Sequence, residues 1–194
     1  MKQIPTGFIL AGGKAKRLNG VDKGLLKIQG KSMIEHTINT LKKCTHPIII
    51  LSNNNNYKSF GYPIFADEVK NSGPLSGICK GLSITNTDWN VFMTCDSPFV
   101  KQELVQFLIN QTANHQAIIP SYKGKIYPLN ALYHRSSLGV FKNQLNNKHL
   151  KVKDALVFLK VKTVELNEEH PFFNQKSLTN INTFEEYEKY RYYR

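Results

Sequence analysis

Short apolar runs alternate with stretches of helical period along almost the whole chain, and this alternation narrows the fold to one class. Strands are predicted at Gly7–Leu10, Ile48–Leu51, Ile64–Phe65, Val91–Thr94, Ala117–Ile119 and Leu129–Tyr133. Between the first two, the segment Met33–Lys42 places Met33, Ile34, Thr37, Ile38 and Leu41 on one helical face. Further helices are expected near Leu75–Ile84, Gln102–Asn110, Ser137–Leu145 and Val152–Leu159. A last helix opens on Thr183, with Glu186 three residues on, the pattern of a capping box. Strand and helix in turn argue for mostly parallel strands joined by right-handed crossovers. At 194 residues, with no repeat, linker or low-complexity tract, the chain reads as a single α/β domain over 1–194.

The first strand ends in an unusual way. Phe8-Ile9-Leu10 stops at Ala11-Gly12-Gly13 and is followed by Lys14, Lys16, Arg17 and Lys23. Glycines let a backbone approach a ligand closely because no Cβ stands in the way. Bare N–H groups beside clustered cations suit a nucleoside triphosphate, which needs both donors and charge neutralisation. The spacing is neither G-x-x-x-x-G-K-[ST] nor G-x-G-x-x-G, so the P-loop and the dinucleotide fingerprint are both set aside. A Gly-Gly turn with solvated lysines is the plain alternative for this loop taken alone.

Open α/β sheets bind ligands beyond the carboxyl ends of their strands. Those ends offer Ala11–Lys23, Ser52-Asn53, Asp67, Asp96 and Tyr133-His134. Gly73-Pro74-Leu75-Ser76-Gly77 leads directly into a helix, whose N-terminus favours anions. Asp96 follows the apolar run Val91-Phe92-Met93-Thr94-Cys95 and precedes Ser97-Pro98. A carboxylate so placed suits Mg2+, which keeps several waters and binds through one or two carboxylates plus substrate phosphates. Its alternative is a cap on the following turn.

Composition removes other classes. No apolar run approaches the roughly 20 residues that span a bilayer. Met1-Lys2-Gln3-Ile4-Pro5 lacks the apolar core of a secretory signal, so a cytoplasmic protein away from membranes is expected. Cys44, Cys79 and Cys95 form no C-x-x-C pair and are read as reduced thiols, and the six scattered His give no zinc pattern. His36 and His134 are read as structural. Lys and Arg outnumber Asp and Glu by 26 to 14, a formal charge of +12 that suits anionic ligands. Basic residues interleaved with aromatics occur only in the tail at 187–194, which reads as a packed terminal helix, so nucleic acid is not an expected partner.

Five segments together carry a resemblance: LAGGKAKRLNGVDKGL at 10–25, GPLSGI at 73–78, TCDSPFV at 94–100, PLNALY at 128–133 and NINTFEEY at 180–187. The chain resembles MobA-type molybdenum cofactor guanylyltransferases, within the wider nucleotidyltransferase fold of the sugar-nucleotide pyrophosphorylases. That resemblance implies a three-layer α/β/α, Rossmann-like nucleotide-diphospho-sugar transferase fold. It also implies Mg2+-dependent transfer of GMP from GTP to the terminal phosphate of molybdopterin, with release of pyrophosphate. By the same resemblance Leu10, Ala11, Gly12, Gly13, Lys23, Asn53, Asp67 and Asp96 bind GTP, and Asp96 holds the metal. Arg17, Lys23 and Asp96 are the expected catalytic residues, and Gly77, Asn180 and Asn182 are expected on the molybdopterin side. Transient cofactor-insertion or chaperone proteins are expected as further partners. Asn19 replaces the usual Gly after Arg17-Leu18, and Lys148, Lys151 and Lys153 stand where relatives carry paired arginines. A related enzyme using CTP on the molybdenum cofactor, or an NTP on a sugar phosphate, is the alternative chemistry; a nucleotide-sensing adaptor without turnover is the alternative class.

Overall fold

The structure is a computed structural model describing residues 3–12, 22–66 and 72–192. Its strands are β1 (Thr6–Leu10), β2 (Lys27–Ile28), β3 (Lys31–Ser32), β4 (Ile48–Leu51), β5 (Ile64–Phe65), β6 (Trp89–Thr94), β7 (Ala117–Tyr122), β8 (Lys125–Ile126), β9 (Ala131–His134) and β10 (Val161–Glu165). Its α-helices are α1 (Met33–Leu41), α2 (Gly73–Ile84), α3 (Gln102–Asn110), α4 (Leu138–Asn146), α5 (Val152–Leu156) and α6 (Phe184–Arg191). The main sheet runs β10-β7-β9-β6-β1-β4-β5, with β8 paired to β7. Pairs β1–β4, β1–β6, β4–β5 and β7–β10 are parallel. Strand β9 runs antiparallel to both β6 and β7, which makes the sheet mixed on that side.

The period-2 alternation of strand side chains builds two cores from one sheet. Ile9, Ile48, Ile50, Val91 and Met93 face α1 and α3, where Ile34, Ile38, Leu104 and Leu108 meet them. Phe8, Leu10, Ile49, Leu51 and Phe92 face the other way, onto Leu75, Ile78 and Leu82 of α2 and onto Phe141, Val152 and Ala155 of α4 and α5. The result is the expected three-layer α/β/α arrangement. A third cluster lies apart, where Tyr187 and Tyr190 of α6 and Ile181 pack on Ile28 of the β2–β3 hairpin and on Met33. This cluster anchors the loop ahead of α6 over the carboxyl ends of the central strands, because the Ile181 amide donates to the Asp96 carbonyl at 2.9 Å.

Several elements differ from the sequence reading. The β2–β3 hairpin, β8 and β10 were not expected. Their residues are two-residue ladders or, in β10, an edge strand with only Val164 buried, so no apolar run announces them. Helix α5 ends at Leu156 rather than Leu159, and β9 begins at Ala131 rather than Leu129. Helix α2 starts at Gly73, two residues early, with Pro in its first turn where no N–H is needed. Gly73 takes φ of +64°, a conformation that a side chain would oppose. No described helix is long and apolar enough to cross a membrane.

Candidate active site

A cavity of about 560 Å³ opens at the carboxyl ends of β1, β4 and β6. Its wall is built from Leu10, Ala11 and Gly12, from Asp22 and Lys23, from the α2 entry (Gly73, Pro74, Gly77), from Thr94-Cys95-Asp96, and from Asn180, Asn182 and Thr183. That volume falls within the ~300–1,000 Å³ typical of small-molecule sites. With Leu51 and Leu129, seven stretches of the chain therefore converge on one space.

The β1 end is pinned to β4. The Ala11 amide donates to the Leu51 carbonyl at 3.0 Å. The Ser52 hydroxyl donates to the Ala11 carbonyl at 2.8 Å and accepts from the Asn54 amide at 3.0 Å. These bonds hold the strand open at the point where Gly12 reaches the cavity wall. On the other side the Cys95 amide donates to the Leu10 carbonyl at 3.2 Å, extending the β1–β6 ladder to the residue before Asp96.

Lys23 is almost wholly enclosed, at 6% exposure, and its ammonium donates to Asn182 Oδ1 at 3.2 Å. Asp22 fixes the turn that carries it. One Asp22 oxygen accepts from the Gly24 amide at 3.0 Å and from the Tyr57 hydroxyl, and the other accepts from Asn54 Nδ2 at 2.8 Å. A Cβ on Gly24 would strike the Tyr57 hydroxyl and come within 3.2 Å of Cys95 Sγ, so only glycine fits there. Burial, reinforced by the neighbouring Cys95 and Asp22, pushes the Tyr57 hydroxyl far above its ordinary pKa and keeps it a donor. Asp22 is thus occupied in holding the lysine turn.

Asp96 is half-buried at the mouth of β6. Desolvation pushes its carboxyl above the usual carboxylate range, against the downward pull of the neighbouring Thr94 hydroxyl and of the Lys23 charge. Asn180 Nδ2 donates to its Oδ1 at 3.3 Å. The two asparagines ahead of α6 therefore touch two charged residues of the cavity, Asn182 on Lys23 and Asn180 on Asp96. Their loop is held by Glu186, whose carboxylate accepts from the Asn182 amide at 2.6 Å and the Thr183 amide at 3.0 Å; these backbone bonds draw its pKa down. The capping box foreseen from Thr183 and Glu186 is present.

The structure thus brings together Leu10, Ala11, Gly12, Lys23, Gly77, Asp96, Asn180 and Asn182. Asn53 is exposed and does not line the cavity; Ser52 and Asn54 on either side of it make the structural bonds. Gly13, Arg17 and Asp67 lie outside the described residues. Sequence reasoning missed Asp22, although an Asp two residues before Gly24 is the signal of an Asx turn. Thr94, Ser97 and Asn130 lie within the segments TCDSPFV and PLNALY, but their mutual hydrogen bonds cross the sheet and no local pattern reveals them. Burial, reinforced by Asp96 and Asp22, drives the Cys95 thiol far upward, away from the thiolate a nucleophile needs.

A mostly parallel α/β sheet whose strand ends gather open backbone, an enclosed lysine and a half-buried aspartate around a cavity of this size suits an enzyme that binds a phosphorylated small molecule. Comparison with known proteins narrows the class. The profile of the MobA-like NTP transferase domain matches residues 7–158. A Clostridium perfringens (strain 13) protein named "Probable molybdenum cofactor guanylyltransferase" is 35% identical over 187 residues, covering 93% of this chain and 92% of its own. The molybdenum cofactor guanylyltransferase of Vibrio campbellii is 40% identical over 134 residues, covering 67% of this chain and 68% of its own. Among solved structures, molybdopterin-guanine dinucleotide biosynthesis protein A of Archaeoglobus fulgidus superposes with a TM-score of 0.80 at 22% identity, covering 96% of each chain. The chain belongs to the MobA-like NTP transferase family and is a nucleotidyltransferase.

Proposed function

We propose that this chain transfers GMP from GTP to the terminal phosphate of molybdopterin, releasing pyrophosphate and forming the guanine dinucleotide form of the molybdenum cofactor. The observation that carries the reading is the meeting of Ala11-Gly12, Lys23 and Asp96 in one cavity, in a chain similar over 93% of its length to proteins named for that activity. In the reaction, an oxygen of the acceptor phosphate attacks the α-phosphorus of GTP in line. A new P–O bond forms there, the bond from the α-phosphorus to the bridging oxygen breaks, and pyrophosphate departs with that electron pair. The acceptor phosphate is already ionised at neutral pH, so no general base is needed. Such chemistry rests on positioning and on charge stabilisation. Gly12 leaves room for the phosphates to approach the β1 end, and the Lys23 ammonium, enclosed and fixed by the Asp22 turn, meets the charge that grows on the leaving group.

Mg2+ fits the donor set. Among the described residues no three His, Cys, Asp or Glu side chains gather as a complete cage. One carboxylate in a cavity with room for waters and phosphate oxygens is the arrangement Mg2+ accepts. Asp96 would hold it, and the ion would supply neutralisation of the two anionic reactants. Asn180 would keep the Asp96 carboxylate turned toward the cavity. Arg17 and Asp67, by the family resemblance, would add to the phosphate and nucleotide contacts. We further assign the work to the cytoplasm, with the product passed to transient carrier or insertion proteins.

The test is direct. Purified protein with molybdopterin is given GTP, CTP, ATP or UTP in turn with Mg2+, and pyrophosphate release is followed. Release with GTP, at least tenfold above the other three, supports the reading. Release with CTP alone would transfer the assignment to cytidylyl chemistry, and no release from any pair would refute transferase activity on this acceptor.

A further inference from the structure

A buried polar chain runs from the middle of the sheet to Asp96. Asn130 lies just ahead of β9 and is 5% exposed; Ser97, immediately after Asp96, is 1% exposed. The Thr94 amide donates to Asn130 Oδ1 at 3.0 Å, and Asn130 Nδ2 donates to Ser97 Oγ at 2.9 Å. Ser97 Oγ in turn donates to Asn180 Oδ1 at 3.1 Å, and Asn180 Nδ2 donates to Asp96 Oδ1 at 3.3 Å.

The first step of this chain has a fixed direction. A backbone amide can only donate, so the oxygen of Asn130 must face Thr94 and its NH2 must face Ser97. Ser97 Oγ also meets the Thr94 hydroxyl at 2.7 Å; with Thr94 donating in that contact, the single Ser97 proton goes to the Asn180 oxygen at 3.1 Å. Asn180 must then turn its NH2 toward Asp96. Were Asn180 flipped, its oxygen would confront the carboxylate and two acceptors would repel. Asn130 thus supports, through two intermediaries, the donor that faces Asp96. Buried networks of this sort hold only while every member is satisfied.

We propose that Asn130 is a positioning residue for nucleotidyl transfer, setting the orientation of the Asp96 carboxylate through Ser97 and Asn180. The inference rests on the function proposed above for the Asp96 cavity. Asn130 touches no substrate, being absent from the cavity wall, and works on the aspartate from behind. In the sequence it stands only as part of the segment PLNALY, with nothing to show what it touches.

Asn130→Asp keeps the shape and satisfies the Thr94 amide but has no donor for Ser97; it draws the Ser97 proton to itself and releases Asn180 to flip. Ser97→Ala interrupts the same chain without introducing a charge. Each variant is measured for GMP transfer, for Mn2+ binding in the presence of GTP by electron paramagnetic resonance, and for metal-free GTP binding by calorimetry. Expected for both is a kcat about tenfold lower and a Mn2+ concentration for half-saturation about tenfold higher, with metal-free GTP affinity within twofold of the parent. The double variant should be no worse than the poorer single one, since both cut one chain. The proposal is overturned if Ser97→Ala leaves Mn2+ half-saturation and kcat within twofold. It is equally overturned if metal-free GTP binding and thermal stability fall in step with activity, which would mark a merely structural role. Should the parent protein transfer no GMP at all, the function proposed above fails, while the Mn2+ measurements still decide the chain.

Discussion

Asp96 is held in a state that favours its proton more than water would, because desolvation at the mouth of β6 outweighs the pull of Lys23. The consequence for stability has a sign. A native-state pKa raised above the ordinary 3.8 means that ionising the group costs more in the fold than in the unfolded chain. Any stabilisation it confers is therefore complete below the unfolded pKa and is lost as pH rises through the native one. Asp96→Asn removes that loss while preserving an oxygen for Asn180. The expected outcome is a higher Tm than the parent at pH 7, a difference that shrinks toward zero near pH 3.5, and GMP transfer reduced by at least ~10³-fold, the order seen when one strong charge-stabilising group is removed. Thermal scans across that range with parallel turnover assays check it; a lower Tm at pH 7 would show that Asp96 is not strained by burial. Lys23→Ala removes the enclosed ammonium. It should lower kcat/KM for GTP about 10²-fold, in keeping with the loss of a charge-assisted contact to phosphate, and steady-state kinetics at fixed acceptor would reveal an unchanged value if the lysine only fills space.

Within the elements, Gly81 of α2 shows how packing outranks intrinsic preference. Alanine would improve the helix by about 1 kcal/mol. A Cβ there, however, would sit 2.8 Å from the Phe92 ring and 3.2 Å from that of Phe8. Those rings stack on each other at 4.9 Å, and Phe92 is held edge-on by Tyr133, itself held by Phe141, so none can yield. Overpacking of this kind costs about 1–3 kcal/mol, and Gly81→Ala should leave the protein less stable by about 1 kcal/mol in urea denaturation rather than more. The same reasoning explains what the sequence could disclose. Runs such as Ile48–Leu51 and Val91–Met93 are apolar at every position because both faces of their strands are covered, and they stand out in any reading. Strand β10 owes its place to pairing with β7, and the β2–β3 hairpin owes its place to α6 packed from the far end of the chain. Neither cause is local. The cavity followed the same division. Ala11-Gly12, Lys23 and Asp96 were legible because they fall at or just beyond the carboxyl ends of apolar strands, where open sheets bind ligands, whereas the Asn130 and Asp22 contacts depend on which segments lie side by side.

At the scale of the whole molecule, the chain carries a net charge of +12, of which the described residues of the cavity wall hold Asp22, Lys23 and Asp96. Charges far from a site act chiefly on the rate of encounter, since the field of the surface raises the local concentration of an anion before any contact forms. Lys151 and Lys153 are both exposed, and neither lines the cavity. Reversing them with Lys151→Glu and Lys153→Glu changes the net charge by four without altering a described contact of the site. The association rate of GTP, followed by stopped-flow at about 20 mM salt, should then fall severalfold, while its dissociation rate stays as in the parent. At about 200 mM salt, where the screening length shrinks to less than ~10 Å, the difference between variant and parent should nearly vanish. Lysines that instead grip a substrate phosphate would behave otherwise: their loss would speed dissociation and persist in salt. The two rates therefore separate a guiding field from a hidden binding subsite on α5, and a dissociation rate raised by the double reversal would assign Lys151 and Lys153 to the site itself.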